Sequence, residues 1–293
     1  MLAQQFVNAL SLGGVYALFA LGFTLVFGVL NVVNLAHGAV FMLGAYAALQ
    51  GVLALQLPTA AAILLAMNVT AAVGWSLDRL ILAPLRAGQA PHLAPMIATI
   101  GVAIISTSLV EGFFGAENLR FPSQTLSSGT VSFGSAQITG LELKIILLAI
   151  LLMVLLFWGL TKTRVGIAVR AVAESPKAAA LLGVNVEGLF GMTSIVAAML
   201  AGVAGVLVAL YSNAVFPRMG QPMLHKGIAV VILGGMGDIR GALIGGFFLG
   251  FAEVFSVAYV GSTMRDAISF GLLFAILLLR PQGLFGNATQ RQA

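Results

Sequence analysis

Charged residues are scarce in this chain, and its first 77 residues contain no Asp, Glu, Lys or Arg at all. Charged side chains make up 8% of the 293 residues and apolar side chains 60%, with a mean hydropathy of +1.08. A soluble domain carries about 25% charged residues, so the composition excludes that class and indicates an integral membrane protein. The long apolar runs lack the alternation of barrel strands, and they therefore predict spanning helices.

Cysteine is absent, which excludes disulfides and thiolate chemistry. The phosphate-binding pattern GxxxxGK[ST] is also missing, because none of the four lysines follows a glycine. If ATP drives this protein, another chain must bind it. The three histidines, His37, His92 and His225, are too far apart in sequence for metal-ligand spacing, and no catalytic constellation is recognisable. We therefore expect no cofactor, no metal and no nucleic-acid partner.

Nine apolar windows are candidates for spanning helices. A span needs about 20 residues, with about 17 as the lower limit. The window 223–236 falls short and 264–279 is marginal, so the sequence predicts eight or nine spans, some of them interrupted. The N-terminus lacks a positively charged start and a cleavage site, which indicates a first span and not a signal peptide. The windows are 6–30, 38–57, 59–77, 93–110, 145–161, 189–211, 223–236, 241–260 and 264–279.

The distribution of basic residues predicts the orientation of the chain. If all nine windows cross, nine Lys or Arg lie on the side that contains 161–188 and the C-terminus, against five on the other side. Cytoplasmic loops carry the excess of Lys and Arg, so we expect the N-terminus outside and the C-terminus in the cytoplasm. The longest outside loop, 117–142, is too short for a folded domain. The chain, 1–293, is therefore expected to form a single membrane unit.

One polar segment, residues 161–188, lies between two apolar windows and holds six of the 23 charged residues. Val165, Val169 and Val172 recur at the spacing of a helix face, which predicts a short amphipathic helix. Basic amphipathic segments often lie on anionic lipid, so one interpretation is a helix pair at the membrane surface. The other is a docking element for a groove on a cytoplasmic partner, which the apolar Ala-Ala-Ala-Leu-Leu run favours.

Local signals divide this segment into two helices. Arg170 and Glu174 are i, i+4 neighbours on the first helix and can pair. Ser175 suits the N-cap of a second helix and Pro176 its first position. Gly183 can end that helix in a left-handed conformation. The segment is therefore expected to lie along the membrane face without crossing it.

Three runs of sequence resemble one known family. The run RAVAESPKAAALLGVNV (170–186) resembles the cytoplasmic coupling loop of ABC-importer permeases of the branched-chain amino acid class. The run NVVNLAHGAVFMLGAY (31–46) is similar to the N-terminal signature of that family, and VILGGMGDIRGALIGG (231–246) is a third similar run. Their order and spacing fit, and the resemblance covers essentially the whole chain.

The resemblance implies an inner-membrane permease subunit of a bacterial importer for branched-chain or other hydrophobic amino acids. It also implies a second permease subunit, expected to be a paralogue, two cytoplasmic ATPase subunits that bind the ATP, and an extracytoplasmic substrate-binding protein. The alternatives are a permease for another small solute such as urea or amides, an ion-coupled secondary transporter, a membrane-embedded enzyme and a channel. The residues expected to couple to the ATPase are Arg170, Glu174, Ser175, Pro176, Lys177, Leu181, Leu182 and Gly183.

Two interruptions of the apolar windows are candidates for the transport path, because freed helix ends can line a water-filled passage. The first contains Asn31, Asn34, His37 and Gly38, and the second is 234–238. Asn side chains compete with helical hydrogen bonds, and glycines loosen a helix. The first interruption is either a turn at the cytoplasmic face, with Asn34 as the cap of the next helix, or part of a cytoplasmic gate.

Glu253 is the only carboxylate deep inside an apolar window. A charge there is costly, so we expect it to face protein or water and to find a hydrogen-bond donor. It is either a structural group or protonated acid, or it acts in the path or at an interface. Gly241, Gly245, Gly246 and Gly250 recur at four-residue steps in the same window, which favours close helix packing over a substrate site.

Overall fold

The structure, a computed structural model, describes residues 2–91, 93–126, 129–133, 136–280 and 283–285. The predicted all-α membrane fold is confirmed, and seven helices in this part of the chain are long and apolar enough to span a membrane. One antiparallel hairpin within the loop 117–142 was not predicted.

The elements are α1 (Leu2–Leu30), α2 (His37–Leu53), α3 (Thr59–Leu77), a π-helical turn (Asp78–Leu82), α4 (Ala83–Ala87), α5 (Leu93–Phe114), α6 (Ser123–Leu126), β1 (Thr130–Phe133), β2 (Ala136–Thr139), α7 (Gly140–Lys162), α8 (Arg164–Glu174), α9 (Pro176–Leu181), α10 (Val186–Ser212), α11 (Gly220–Gly234), α12 (Ile239–Tyr259), a 3₁₀ turn (Ser262–Met264) and α13 (Arg265–Leu279).

Helices α1 and α10 form the centre of the bundle. In their most apolar stretches, 89% and 78% of the residues are buried. Helix α1 packs along α12, with Gly13 against Gly250 and Gly28 against Gly237, so these two helices run in opposite directions. We call the end of the bundle where α1 begins face 1, and the end where α1 finishes face 2.

The two halves of the bundle have matching contacts in opposite orientation. Helices α1, α2 and α3 form a long, short, long series, and so do α10, α11 and α12. Helix α1 packs on α12 as α10 packs on α3, and α2 packs on α10 as α11 packs on α1. Helix α10 ends at face 1, because Asn213 accepts the N–H of Phe121 next to the hairpin, whose Gln137 N–H donates to Gln4. The halves therefore run in opposite directions, as in inverted repeats of membrane transporters.

Helix α11 is too short to span by itself, as its 15 residues extend only about 22 Å. The chain leaves α10 at face 1, and α11 ends at face 2, where Gly234 packs against Gly241. The segment between Asn213 and Gly234 therefore returns the chain across the bundle, partly without helix. Residues 283–285 bond the carbonyls of Leu233 and Gly234. The two ends of the described chain thus lie at opposite faces.

Glycine allows the backbones of α2 and α10 to touch. A Cβ atom on Gly205 would overlap the carbonyl oxygen of Phe41, and one on Gly44 would overlap the backbone of Gly202. In lipid, no hydrophobic effect brings helices together, so close backbone packing of this kind holds them in contact instead. Helices α5, α7 and α13 are different, because 11%, 22% and 6% of their apolar windows are buried. Their bulky apolar side chains face lipid or another protein.

We predict that Gly205→Ala destabilises the protein, whereas Gly112→Ala does not. The new methyl group at Gly205 forces α2 and α10 apart, at an overpacking cost of about 1–3 kcal/mol. A Cβ atom at Gly112 of α5 would meet no atom of another element within 4 Å, so alanine there would only raise the helix propensity. The measurement is the unfolding temperature of both variants in detergent. Equal unfolding temperatures would show that the α2–α10 contact relaxes without cost.

Candidate functional site

The polar segment 161–188 forms α8 and α9 at face 2, between α7 and α10. Thr163 caps α8 by accepting the N–H of Gly166 at 3.0 Å. Ser175 caps α9 by accepting the N–H of Ala178 at 3.2 Å, with Pro176 at the first helical position. The chain then turns with Gly183 at φ +84°, where glycine is favoured. These local signals account for the path of the segment.

Helix α8 holds the segment against the bundle. Val169 and Val172 are buried, but Val165, the third residue of the expected apolar stripe, is exposed. Arg170 and Glu174 both face solvent, and no ion pair joins them in the described structure. Their spacing allows a pair, but an exposed pair of two long side chains gains little in water. Both remain free for another contact.

Helix α9 presents apolar side chains away from the protein. Leu181 is 90% exposed and Leu182 is 83% exposed, while Ala179 on the opposite side of the helix is buried. Lys177 and Gly183 beside them are also exposed. Two adjacent, nearly fully exposed leucines contribute nothing to the core of this chain. Exposed apolar groups with a polar surround mark protein or membrane contact sites.

An ion-pair cluster, in which Asp78 is buried and the Glu187 side chain is 60% exposed, lies next to this segment at face 2. The guanidinium of Arg86 donates to Asp78 and to Glu187, both at 2.9 Å, and stacks over the ring of Phe190 at 4.7 Å. Asp78 begins the π-helical turn that ends α3, and Glu187 is in the first turn of α10. Arg86 therefore ties the end of α3 to the start of α10, directly after α9. In the sequence, Arg86 is only one of the nine basic residues on the side of the segment 161–188.

We predict that Arg86→Lys lowers stability more than Arg79→Lys. Lysine keeps the charge but lacks the planar guanidinium that bonds two carboxylates at once. Either the buried Asp78 or the exposed Glu187 therefore loses its partner. A hydrogen bond to a charged group is worth about 1.5–3 kcal/mol. Arg79 is exposed and makes no ion pair with the described residues, so Arg79→Lys should leave the unfolding temperature unchanged. Thermal unfolding in detergent measures the difference, and equal shifts would contradict the bridging role.

The first interruption begins with the exposed Asn31 at face 2 but does not stay at that surface. His37 lies beside Gly22 and level with the Ala197 carbonyl, two turns inside the bundle, with a ring nitrogen 3.3 Å from the carbonyl oxygen of Phe19. The chain therefore folds back into the bundle after α1 and begins α2 there. Of the two interpretations, a turn that stays at the end of the bundle therefore does not describe His37.

The residues of this interruption also differ from the capping expectation. Asn31 is exposed and has a left-handed backbone, with φ +53°. Ala36, not Asn34, is the N-cap of α2, and the Asn34 side chain accepts the N–H of Ala36 at 3.1 Å in a local turn. The Asn34 side chain therefore bonds the backbone of the turn before α2 and not an N–H group of the helix itself. Asn34 is not the cap of α2.

The starts of α2 and α11 meet inside the bundle. Gly38 and Gly220 touch through their backbones, so neither position has space for a side chain. These two short helices leave the contact toward opposite faces. The second interruption, 234–238, is an ordinary helix connection at face 2, where Asp238 caps α12 by accepting the N–H of Gly241 at 2.9 Å. The structure brings the first interruption, but not the second, to the middle of the bundle.

Glu253 is completely buried and has several donors. The Tyr16 hydroxyl donates to it at 2.9 Å and the Lys226 ammonium at 2.8 Å, and the guanidinium of Arg265 forms an ion pair with it. Asp266, which is exposed, lies 3.7 Å from Lys226. The carboxylate thus joins α1, α11, α12 and the start of α13. Sequence reasoning missed its partners, although Lys226 is the one charged residue of the short window 223–236.

Other chemistry has little support in the described structure. No group of three or more His, Asp or Glu side chains that could hold a metal occurs among the residues searched. His225 is exposed on α11, and His92 lies outside the described residues. The glycines of α12 pack against helices, with Gly246 on Ala17 and Gly250 on Gly13. The features that remain as functional candidates are the exposed α9, the interior break before α2, and the face 1 end around Glu253.

Comparison with known proteins fits this arrangement. The sequence profile of the family described as "Branched-chain amino acid transport system / permease component" matches residues 5–277, which is nearly the whole chain. The chain belongs to this family. Its members are permease components of transport systems, so the chain is a transport subunit in a membrane, with the seven candidate spans found above.

Individual relatives match over almost their full length. The high-affinity branched-chain amino acid transport system permease protein LivH of Salmonella typhimurium is 35% identical over 97% of this chain and 95% of its own. BraD of Pseudomonas aeruginosa, described in the same words, is 36% identical over the same shares. A probable LivH of Methanocaldococcus jannaschii is 30% identical over 95% of this chain and 91% of its own. No solved structure matches the chain.

Proposed function

We propose that this chain is one permease subunit of an ATP-driven importer for branched-chain or other hydrophobic amino acids. The descriptions of the two bacterial relatives support this substrate class. The sequence has no phosphate-binding motif, which supports ATP binding by a separate chain and no cofactor in this one. The partners are two ATPase subunits, a second permease subunit and an extracytoplasmic binding protein, with lipid around the bundle.

The observation that carries this proposal is the pair of exposed leucines, Leu181 and Leu182, at the tip of α9. Helix α8 contacts the central helices α1 and α10 as well as α7. A partner that holds the leucines and moves on binding ATP shifts α8 and α9, and with them the centre of the bundle. The importer then alternates between outward-open and inward-open states.

Face 2 is cytoplasmic in this proposal, and the N-terminus lies outside the inner membrane. The basic residues of α7 to α9 support this orientation, because cytoplasmic loops carry the excess of Lys and Arg. Arg240 and Arg280 lie at the same face. Face 1, with the hairpin and the loop after α10, then meets the binding protein.

An ion-coupled carrier is the main rival. Such a carrier needs a coupling-ion ligand in the membrane, and Glu253 is the one buried carboxylate of an apolar window. Lys226, Arg265 and Tyr16 already occupy its oxygens, which argues against that role.

Reconstituted vesicles separate the two functions. We expect radiolabelled L-leucine to accumulate only when this chain, its partner permease, the ATPase subunits, the binding protein and ATP are all present. An uncoupler at constant ATP should not stop accumulation. Accumulation by this chain alone, without an ATPase, or its collapse with the uncoupler would overturn the proposal.

A further inference from the structure

A pocket opens at face 1 where α1, α10, α12 and the start of α13 meet. Its volume is about 200 Å³, equivalent to about seven water molecules at ~30 Å³ each. Gln5, Asn8 and Tyr211 line its rim with amide and hydroxyl groups. The pocket is thus large enough for a small solute and has groups that can orient it.

The rim groups are largely free. Asn8 accepts one hydrogen bond from Gln4 at 3.2 Å, which leaves the donors of its amide. The side chains of Gln5 and Tyr211 make no hydrogen bond to the residues that the structure describes. Polar side chains that converge on a pocket without serving each other are available for a ligand.

Arg265 brings a guanidinium to the pocket, and Glu253, its ion-pair partner, also lines it. Lys226 and Arg265 together face the single carboxylate of Glu253, and Glu253 is fully buried whereas the Arg265 side chain is 44% exposed. Tyr16 and Lys226 also donate to Glu253, so the five N–H donors of Arg265 are not all needed there. Asp266 is exposed and lies 3.7 Å from Lys226. The guanidinium can therefore receive a second carboxylate from the pocket.

Three aliphatic side chains also line the pocket. They are Leu12 of α1 and Val254 and Val257 of α12, the last of them one helical turn after Glu253. A single pocket thus combines a guanidinium, neutral hydrogen-bonding groups and branched aliphatic side chains. This combination matches a zwitterion with an aliphatic side chain, because each part of such a solute has a partner of its own chemistry.

We propose that this pocket is the outer subsite that first receives an aliphatic α-amino acid, with its carboxylate on Arg265 and the amide N–H groups of Asn8, its ammonium on the oxygens of Gln5 and Tyr211, and its side chain on the valines. The inference rests on the proposed import function. Because the subsite lies at face 1, a solute released by the binding protein reaches it before the bundle interior.

The absence of cysteine makes a direct test simple. Val257→Cys places the only thiol of this chain in the pocket, and Val260→Cys places it three residues later, where the native valine is 63% exposed and does not line the pocket. The assembled complex in vesicles is treated from outside with a membrane-impermeant maleimide, with and without L-leucine. We expect saturating L-leucine to slow labelling of Val257→Cys by about fivefold or more, as occupancy predicts. Val260→Cys should be labelled at the same rate in both conditions.

Two compounds that each lack one charged group of L-leucine show which of its groups the pocket recognises. 4-Methylpentanoate lacks the ammonium and 3-methylbutylamine lacks the carboxylate, so each should protect Val257→Cys less than L-leucine does. Labelling of Val257→Cys that is unchanged by L-leucine, or equal protection of both thiols, would overturn the subsite. Protection by the amine but not by the acid would overturn the role of Arg265.

A second pair of variants keeps the test independent of labelling chemistry. Val257→Trp fills the pocket and should reduce uptake by about tenfold or more, since misplacement near a binding site has effects of that size. Val260→Trp should stay near the parent rate. Equal uptake by both tryptophan variants contradicts the subsite while the parent complex still imports. Failure of ATP-driven uptake by the parent complex would instead defeat the proposed function.

Discussion

Replacing Leu181 and Leu182 together with serine is expected to abolish ATP-driven uptake while leaving this chain folded. Both side chains are almost fully exposed, so the bundle does not need them. A leucine that becomes fully buried at an interface contributes about 1.5–3 kcal/mol. Loss of both therefore costs at least about 3 kcal/mol of docking energy, or more than about a hundredfold in affinity.

The measurements for this double variant are co-purification of the ATPase subunits, uptake into vesicles and thermal unfolding of this chain. Leu93→Ser is the matched control, because Leu93 is also 66% exposed and lies at the start of α5. We expect the control to retain its ATPase subunits. Normal co-purification and uptake by the double variant would show that α9 rests on lipid, as the alternative interpretation of the segment has it.

The path of this segment was predictable because its signals are local. Ser175 and Pro176 begin a helix by capping and by a preset backbone angle, and Gly183 ends it by tolerating a left-handed conformation. None of these effects needs a distant residue. The pairing of Arg170 with Glu174 was not predictable in the same way, since an exposed ion pair is worth too little to fix two long side chains.

The depth of the break before α2 could not be predicted. Asn31, Asn34 and His37 give the same turn signals at a surface as inside a bundle. What sets the depth is the packing of His37 against Gly22 and the contact between Gly38 and Gly220. Both contacts join residues on different helices, and spacing along the chain contains no information about them.

The ion-pair partners of the buried charges could not be predicted from the sequence either. Glu253 was noticeable as a lone carboxylate in an apolar window, and its need for donors follows from the cost of a charge in lipid. Lys226 and Arg265 are among the five basic residues that the nine-span topology places on the outer side, and their spacing along the chain does not relate them to Glu253. Arg86 likewise pairs with Asp78, 8 residues away, and with Glu187, 101 residues away. Such pairs depend on how helices are arranged, which composition does not determine.

The second large effect is expected for Glu253→Gln. The amide has the shape of the carboxylate but no charge, so Lys226 and Arg265 lose their counter-ion in a largely buried site. Removal of one partner from a buried ion pair costs about 3–5 kcal/mol. We expect the unfolding temperature in detergent to fall by about 10 °C, at about 2–4 °C per kcal/mol. Asp266→Asn is the control, because that carboxylate is exposed and 3.7 Å from Lys226, where an ion pair contributes little.

A double variant separates a structural cluster from a simple loss of packing. Lys226→Met removes the ammonium that Glu253→Gln leaves unpaired, so the combined variant should be more stable than Glu253→Gln alone. Lys226→Met in the parent should cost less than Glu253→Gln, because Tyr16 and Arg265 still serve the carboxylate. The non-additive part of this cycle measures the interaction of the two charges. Additive losses would mean that the two side chains stabilise the bundle independently, and that the charge cluster does not hold α11 to α12.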